Sequence, residues 1–185
     1  IDAVRASVKE TELASFVIEQ YQRLGSDFPV GPQLACFGAN AADPHHMPDQ
    51  SVLRTGSCVL FDIFTPFSRY WCDMTRTVYL GSVSREEEKI YETVRLANET
   101  AIAAIKPCVP LSQIDAVARD FITEAGYGEY FTHRLGHGAG LECHEPPDCS
   151  SGSESVAEPG MIFSVEPGVY IPGKYGVRIE DLVLV

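Results

Sequence analysis

Apolar residues recur at helical spacing from Thr11, where TELASFVIEQYQRLG sets Leu13, Phe16, Val17 and Leu24 on one stripe. This predicts a helix capped by Thr11 and stopped by Gly25. Residues 1 to 10 carry no clear pattern. Residues 26 to 50 are rich in Gly, Pro, Asn and Asp and read as a loop with short extended pieces, including Pro44-His45-His46. SCVLFDIF and YWCDMTRTVYL then read as two strands joined by TPFSR, with Gly81 closing the unit. A long helix follows over 84 to 106, with Ser84 as cap, acidic residues in its first turn and Pro107 as its end. SQIDAVARDFITEAG reads as a further helix, with Ser112 as cap and Gly126 as stop. Beyond it come a histidine stretch, FTHRLGHGAGLECHE, a polar loop from Pro146 to Pro159, and the strands MIFSVEPGVYI and YGVRIEDLVLV.

The order repeats. Val8 to Gly25 can be laid over Val109 to Gly126 without a gap, aligning Val with Val, Thr11 with Ser112, Leu13 with Ile114 and Gly with Gly. Each copy continues through a histidine-containing loop into a hairpin bearing two acidic residues. The second copy is preceded by the long helix and the first is not. The expectation is a missing N-terminal helix over the first half.

The two hairpins carry the chemistry. Asp62 and Asp73 lie symmetrically about a turn centred between Phe67 and Ser68, and Glu166 and Glu180 about Gly173. Regular pairing would set each pair directly across its ladder, with Cβ atoms about 5 Å apart on one face. Val59, Leu60, Phe61, Ile63, Phe163 and Val165 crowd the same strands. Four carboxylates in that setting are prohibitive unless positive charge lies among them. Arg76 and Arg178 are candidate partners, too few for four acids. His137 adds an imidazole, and oxygen-rich ligation with one nitrogen suits Mn²⁺, Co²⁺, Fe²⁺ or Zn²⁺, with five ligands able to hold two ions. Gly136, Gly138 and Gly140 would let backbone pack closely beside them.

Composition narrows the classes. With 185 residues, 45% hydrophobic and 22% charged, the chain fits one domain or two fused halves. A net charge of -12 argues against a nucleic-acid partner. No run approaches the roughly 20 apolar residues of a membrane span, and no leading segment resembles a signal peptide, so a soluble protein is expected. The six cysteines, Cys36, Cys58, Cys72, Cys108, Cys143 and Cys149, form no CxxC pair. They read as thiols, several of them in the core, which predicts a cytoplasmic setting.

NAADPHH (40 to 46), FDIFTPFSRYWCDMTRT (61 to 77), HRLGHGAGLECHEPP (133 to 147) and SVEPGVYIPGKYGVRIED (164 to 181) together resemble the pita-bread metallopeptidase family. That family includes methionine aminopeptidases, aminopeptidase P and prolidase, and the resemblance covers nearly the whole chain. It implies an α/β (α+β) pita-bread fold: two pseudo-symmetric halves with a curved antiparallel sheet and outer helices. It further implies two divalent metal ions (Mn, Co, Zn or Fe) bound by Asp62, Asp73, His137, Glu166 and Glu180, with Asp73 and Glu180 bridging. Glu166 would be the general acid/base, His45 would hydrogen-bond the scissile peptide and His144 would stabilise the oxyanion. His133 and Arg178 match positions of the proline-specific branch that contact substrate or stand behind the groups that do, and His46 has no assigned task.

The short, Arg-containing separation of Glu166 from Glu180 and the HRLGHG motif resemble the prolidase and aminopeptidase P branch. The implied activity is hydrolysis of the N-terminal Xaa-Pro bond of small peptides. A methionine aminopeptidase or a non-catalytic interaction module on the same fold are the alternatives, and a metal-free hydrolase of the creatinase type is disfavoured by the retained ligands. Members of this branch also carry a separate N-terminal domain, absent from residues 1 to 185, and a homodimer is compatible with the resemblance. Phe64 stands where the family commonly has glycine.

Overall fold

Two isolated β-bridges start the two equivalent helices. Lys9 pairs with Val52 and Pro110 with Val156, and a 14-residue helix follows each bridge: α1 (Glu10–Arg23) and α3 (Leu111–Glu124). The computed structural model describes residues 3–28 and 31–185, so Pro29 and Val30 of the predicted loop, like the first two residues, lie outside them. The predicted caps Thr11 and Ser112 are therefore corrected to Lys9 and Pro110. In α1, Glu12 reaches back to accept from the Lys9 N–H at 3.0 Å, and in α3 the Leu111 N–H is satisfied by the Ser155 carbonyl at 2.9 Å. A tertiary bridge sets each start, which local sequence cannot reveal.

The repeat extends beyond the helices. Ser7 and Cys108, equivalent positions, both have φ near +71°, and Gly25 and Gly126 have φ of 90° and 92°. The first half continues into β1 (Leu34–Phe37), β2 (Cys58–Phe67) and β3 (Tyr70–Tyr79), a three-stranded antiparallel sheet in that order. The second half is introduced by α2 (Arg85–Ala104), which Ser84 caps as expected, its side chain and Glu87 exchanging hydrogen bonds with each other's backbone N–H. After α3 come β4 (Gly136–Gly138), β5 (Glu145–Cys149), β6 (Ile162–Val165), β7 (Gly168–Ile171), β8 (Tyr175–Arg178) and β9 (Asp181–Leu184). These form a sheet of order β5-β4-β6-β9 and a separate β7-β8 hairpin. Phe37 faces Val59 in the first half as Gly138 faces Phe163 in the second. The architecture is the mixed α/β, antiparallel arrangement that the resemblance implied.

Three strand expectations need correction. The first hairpin turns on two residues, Ser68 and Arg69, with φ of 51° and 72°, because the Asp27 carboxylate accepts from both their N–H groups. Asp62 therefore faces Thr75 and Asp73 faces Phe64, so the two acids are diagonal neighbours on one face instead of directly opposed. The last two predicted strands each break into two, at Glu166-Pro167 and at Ile179-Glu180. The polar loop after Pro146 contains most of β5, where Arg134 pairs with Asp148.

Packing is unequal between the halves. Ile90, Val94, Ala97 and Ala101 of α2 and Leu111, Ile114, Ala118 and Ile122 of α3 share one core with Phe163, Val165, Val169 and Val177. In the first half α1 covers a smaller cluster of Val8, Leu13, Ala14, Ala35, Phe37, Leu53 and Val59. Beside it Phe16, Val17, Phe61, Ile63, Met74 and Val78 line an open apolar groove of about 430 Å³. Phe16 and Met74 are 41% and 38% exposed. In chemical denaturation Ile114→Ala should cost about 2–5 kcal/mol by cavity formation, and Met74→Ser within about 0.5 kcal/mol. Equal losses would mean that the groove face is closed.

Candidate metal centre

Five side chains predicted as ligands converge from five places in the sheet system. β2 supplies Asp62, β3 Asp73 and β4 His137, while Glu166 and Glu180 stand at the breaks between β6 and β7 and between β8 and β9. Val165 faces Asp181 and Gly168 faces Arg178 on either side of that break, so Glu166 and Glu180 oppose each other as the spacing predicted. Ligating atoms of Asp62, Asp73 and Glu180 lie within 4.8 Å of one another, and so do those of His137, Glu166 and Glu180. The two trios share Glu180. A third grouping at the same spacing joins Asp73, His137 and His144.

Close backbone contact fixes His137. A Cβ on Gly136 would collide with the Ser164 carbonyl oxygen and one on Gly138 with the Pro146 carbonyl oxygen, so neither position accepts a side chain. The His137 N–H donates to Ser164 Oγ at 3.0 Å, and its Nδ1 lies 3.0 Å from the Gly138 oxygen. Nδ1 thus carries the proton, leaving the Nε2 lone pair 3.4 Å from Glu166 Oε1 and 3.8 Å from Asp73 Oδ2.

Charge balance inside the cluster fails without a cation. Asp62 is paired with Arg178 at 2.6 Å, whereas Arg76 turns away to Asp181 and the Glu180 carbonyl. Burial and the neighbouring Glu180 and Asp62 carboxylates push Asp73 up to about 8. Burial, with Asp62 and Asp73 nearby, pushes Glu166 up to about 8, and burial beside Glu166 and Asp62 raises Glu180 well above the ordinary carboxylate range. Asp73 Oδ1 and Glu180 Oε1 are buried without any hydrogen-bond partner. Burial also lowers His137 to about 4, keeping it neutral and able to ligate. Unpartnered acceptors, raised carboxyls and a neutral imidazole are the chemistry of a divalent-cation site.

The other predicted residues divide into two groups. His45 and His144 line a cavity of about 430 Å³ together with Asp62, Phe64, Asp73 and Cys143, so Phe64 forms cavity wall. The His144 ring lies against His137, with centroids 3.9 Å apart. His133 and Arg178 are engaged within the protein. His133 contacts the Arg134 oxygen through Nδ1 and Tyr170 OH through Nε2, and burial lowers it to about 4. Arg178 donates to Thr75 Oγ1, the Pro44 carbonyl, Tyr170 OH and Asp62.

Sequence reasoning missed several supporting groups. Thr75 Oγ1 donates to Glu180 Oε2 at 2.8 Å, Ser164 Oγ to Glu166 Oε1 at 3.2 Å, and Asn98 of α2 to the Val165 carbonyl at 2.8 Å, just before Glu166. Thr75 and Ser164 each stand two residues from a ligand on its strand, a period-two signal that could have found them. Nothing local marks Asn98 or Tyr170.

The model of metallopeptidase family M24 matches residues 1–185. The chain belongs to that family. An uncharacterised peptidase of Staphylococcus aureus is 43% identical over all 185 residues, which span 53% of its length. The fold superposes with a TM-score of 0.97 on a prolidase from Pyrococcus furiosus (38% identity, 100% of this chain, 55% of that one). It superposes at 0.96 on an X-Pro aminopeptidase from Thermotoga maritima (35% identity, 100% of this chain, 52% of that one). The chain thus spans about half the length of these relatives. Membership of this metallopeptidase family implies divalent metal cofactors, and the five candidate ligands fit such ions by their orphaned oxygens and raised carboxyls.

The M24 centre sets a pH test on metal-stripped protein. Raised carboxyls keep protons in the folded state that the unfolded chain releases above about 4, so folding loses stability as pH rises toward 8. The lowered His133 and His137 act oppositely, but only below their unfolded value of about 6.5. Between about pH 6.5 and 8 the carboxyls act alone, and stability should fall by about 1.4 kcal/mol per pH unit for each proton retained. Saturating Mn²⁺ should abolish the fall. A flat metal-free profile in calorimetry would contradict the shared burial of these acids.

Proposed function

We propose that the protein is a dinuclear metal-dependent peptidase that hydrolyses the N-terminal Xaa-Pro bond of peptides. The observation that carries the reading is the pair of ligand trios sharing Glu180, with Asp73 Oδ1 and Glu180 Oε1 lacking any other partner. The branch is supported by the short hairpin that places Arg178 two residues before Glu180 and by the likeness to a prolidase and an X-Pro aminopeptidase. Divalent ions held by Asp62, Asp73, His137, Glu166 and Glu180 would supply a water acidified toward neutrality and a Lewis acid for the scissile carbonyl.

The chain's own groups do the rest. Glu166 accepts the proton of the attacking water and returns it to the leaving proline nitrogen as the C–N bond breaks, with Ser164 Oγ holding its Oε1. His45 hydrogen-bonds the scissile peptide, and His144, across the same cavity, donates to the oxyanion. His133 and Arg178 share the Tyr170 hydroxyl and would support the substrate side from within the protein. Manganese and a cytoplasmic setting belong to the same reading, the latter supported by six unpaired thiols. The reading also places a further helix over the groove of the first half and a separate N-terminal domain in the longer protein. No described helix is long and apolar enough to cross a membrane.

The longer protein, loaded with Mn²⁺ or Co²⁺, should turn over Xaa-Pro peptides in preference to Met-Ala peptides. His137→Ala and Glu166→Ala should each lower turnover by at least about a thousandfold. Preference for Met-Ala would identify a methionine aminopeptidase instead, and retained activity in either variant would sink the assigned roles.

A further inference from the structure

Glu10, the first residue of α1, is fully buried and lies outside the ligand set. Its Oε1 accepts from the Phe37 N–H at 2.6 Å and Asn40 Nδ2 at 3.1 Å, and its Oε2 accepts from the Asp49 N–H at 3.0 Å. The fourth partner is His46 Nε2, 3.1 Å from Oε2. Glu10, His46 and Asp49 have the spacing of a cation site. Both Glu10 oxygens, however, already hold two partners each, so the cluster is a clamp within the protein.

The donors come from the start, middle and end of one segment, residues 37 to 49, and that segment carries His45. Both of its neighbours in sequence are held: Arg178 donates to the Pro44 carbonyl, and Glu10 contacts the His46 ring. The repeat gives an internal comparison. Leu111 begins α3 at the position equivalent to Glu10, and the buried carboxylate of that half is Asp115, one turn further on, which accepts from the Leu135 N–H and from Arg119.

We propose that Glu10, acting through His46, is a positioning residue that seats the 37–49 segment and so holds His45 in the cavity over Asp62 and Asp73. The role of His45 toward substrate rests on the Xaa-Pro peptidase reading, but the clamp itself does not. Charge-assisted hydrogen bonds to a buried carboxylate are strong and directional, and a misplacement of about 1 Å in a catalytic group can cost about a hundredfold in rate.

The test uses the metal-loaded, full-length protein with Glu10→Gln, His46→Leu and His46→Gln, the last keeping a donor toward Oε2. Glu10→Gln and His46→Leu should raise hydrogen–deuterium exchange at residues 38 to 49, leaving the other sheet amides protected and Mn²⁺ affinity within about twofold. They should lower kcat on an Xaa-Pro dipeptide by about 10- to 100-fold, and His46→Gln should recover most of the loss. In a His45→Ala background Glu10→Gln should cost little more. Unchanged exchange in His46→Leu, or an equal activity loss with and without His45, would overturn the proposal. If the parent cleaves no Xaa-Pro peptide, the substrate reading fails, and the exchange data still decide the clamp.

Discussion

Mutual repulsion among acidic side chains that share one buried space governs this fold. Asp62, Asp73, Glu166 and Glu180 point into a common volume, Arg178 balances one of them, and two oxygens have no partner at all. Such a cluster is unfavourable in a closed protein core unless a cation enters. The sheet system pins the ligands from several sides so that they do not separate: Thr75 holds Glu180, Ser164 holds Glu166 and the His137 N–H, and Asn98 grips the backbone ahead of Glu166. Stability is given up at the centre and recovered in the helix–sheet core behind it.

The internal repeat explains how one chain surrounds such a centre. Each half offers a β-bridge, a helix, a short strand and an acidic hairpin, and the two hairpins supply two carboxylates each. Function comes from where the halves differ. Cys36 in the first half stands at the register position that His137 takes in the second, so only one of these two equivalent positions offers an imidazole to the candidate site. Glu10 and Leu111 differ likewise at the helix starts: α1 holds its histidine segment through Glu10, whereas α3 holds residues 131 to 135 through Asp115 and Arg119.

Much of this was legible in the sequence because the constraints are local or periodic. The Ser84 cap, the acidic first turn and Pro107 marked α2, and the four acids stood out as charges within apolar strands. Other features depend on remote groups. The register of the first hairpin follows from Asp27 capturing Ser68 and Arg69, a turn whose residues carry no Asn-Gly signal. The starts of α1 and α3 follow from bridges to Val52 and Val156. Glu10 sits in a stretch without a clear pattern, and its burial becomes intelligible only once the His46 segment folds over it.

The central claim is that the four acids and His137 form a cation site whose buried carboxyls hold protons in the metal-free state. Calorimetric titration of stripped protein with Mn²⁺ at pH 7, repeated in buffers of different ionisation enthalpy, measures both binding and proton release. The account predicts saturable binding with net release of protons as Asp73, Glu166 and Glu180 ionise. Binding without proton release, or no binding at all, would contradict it.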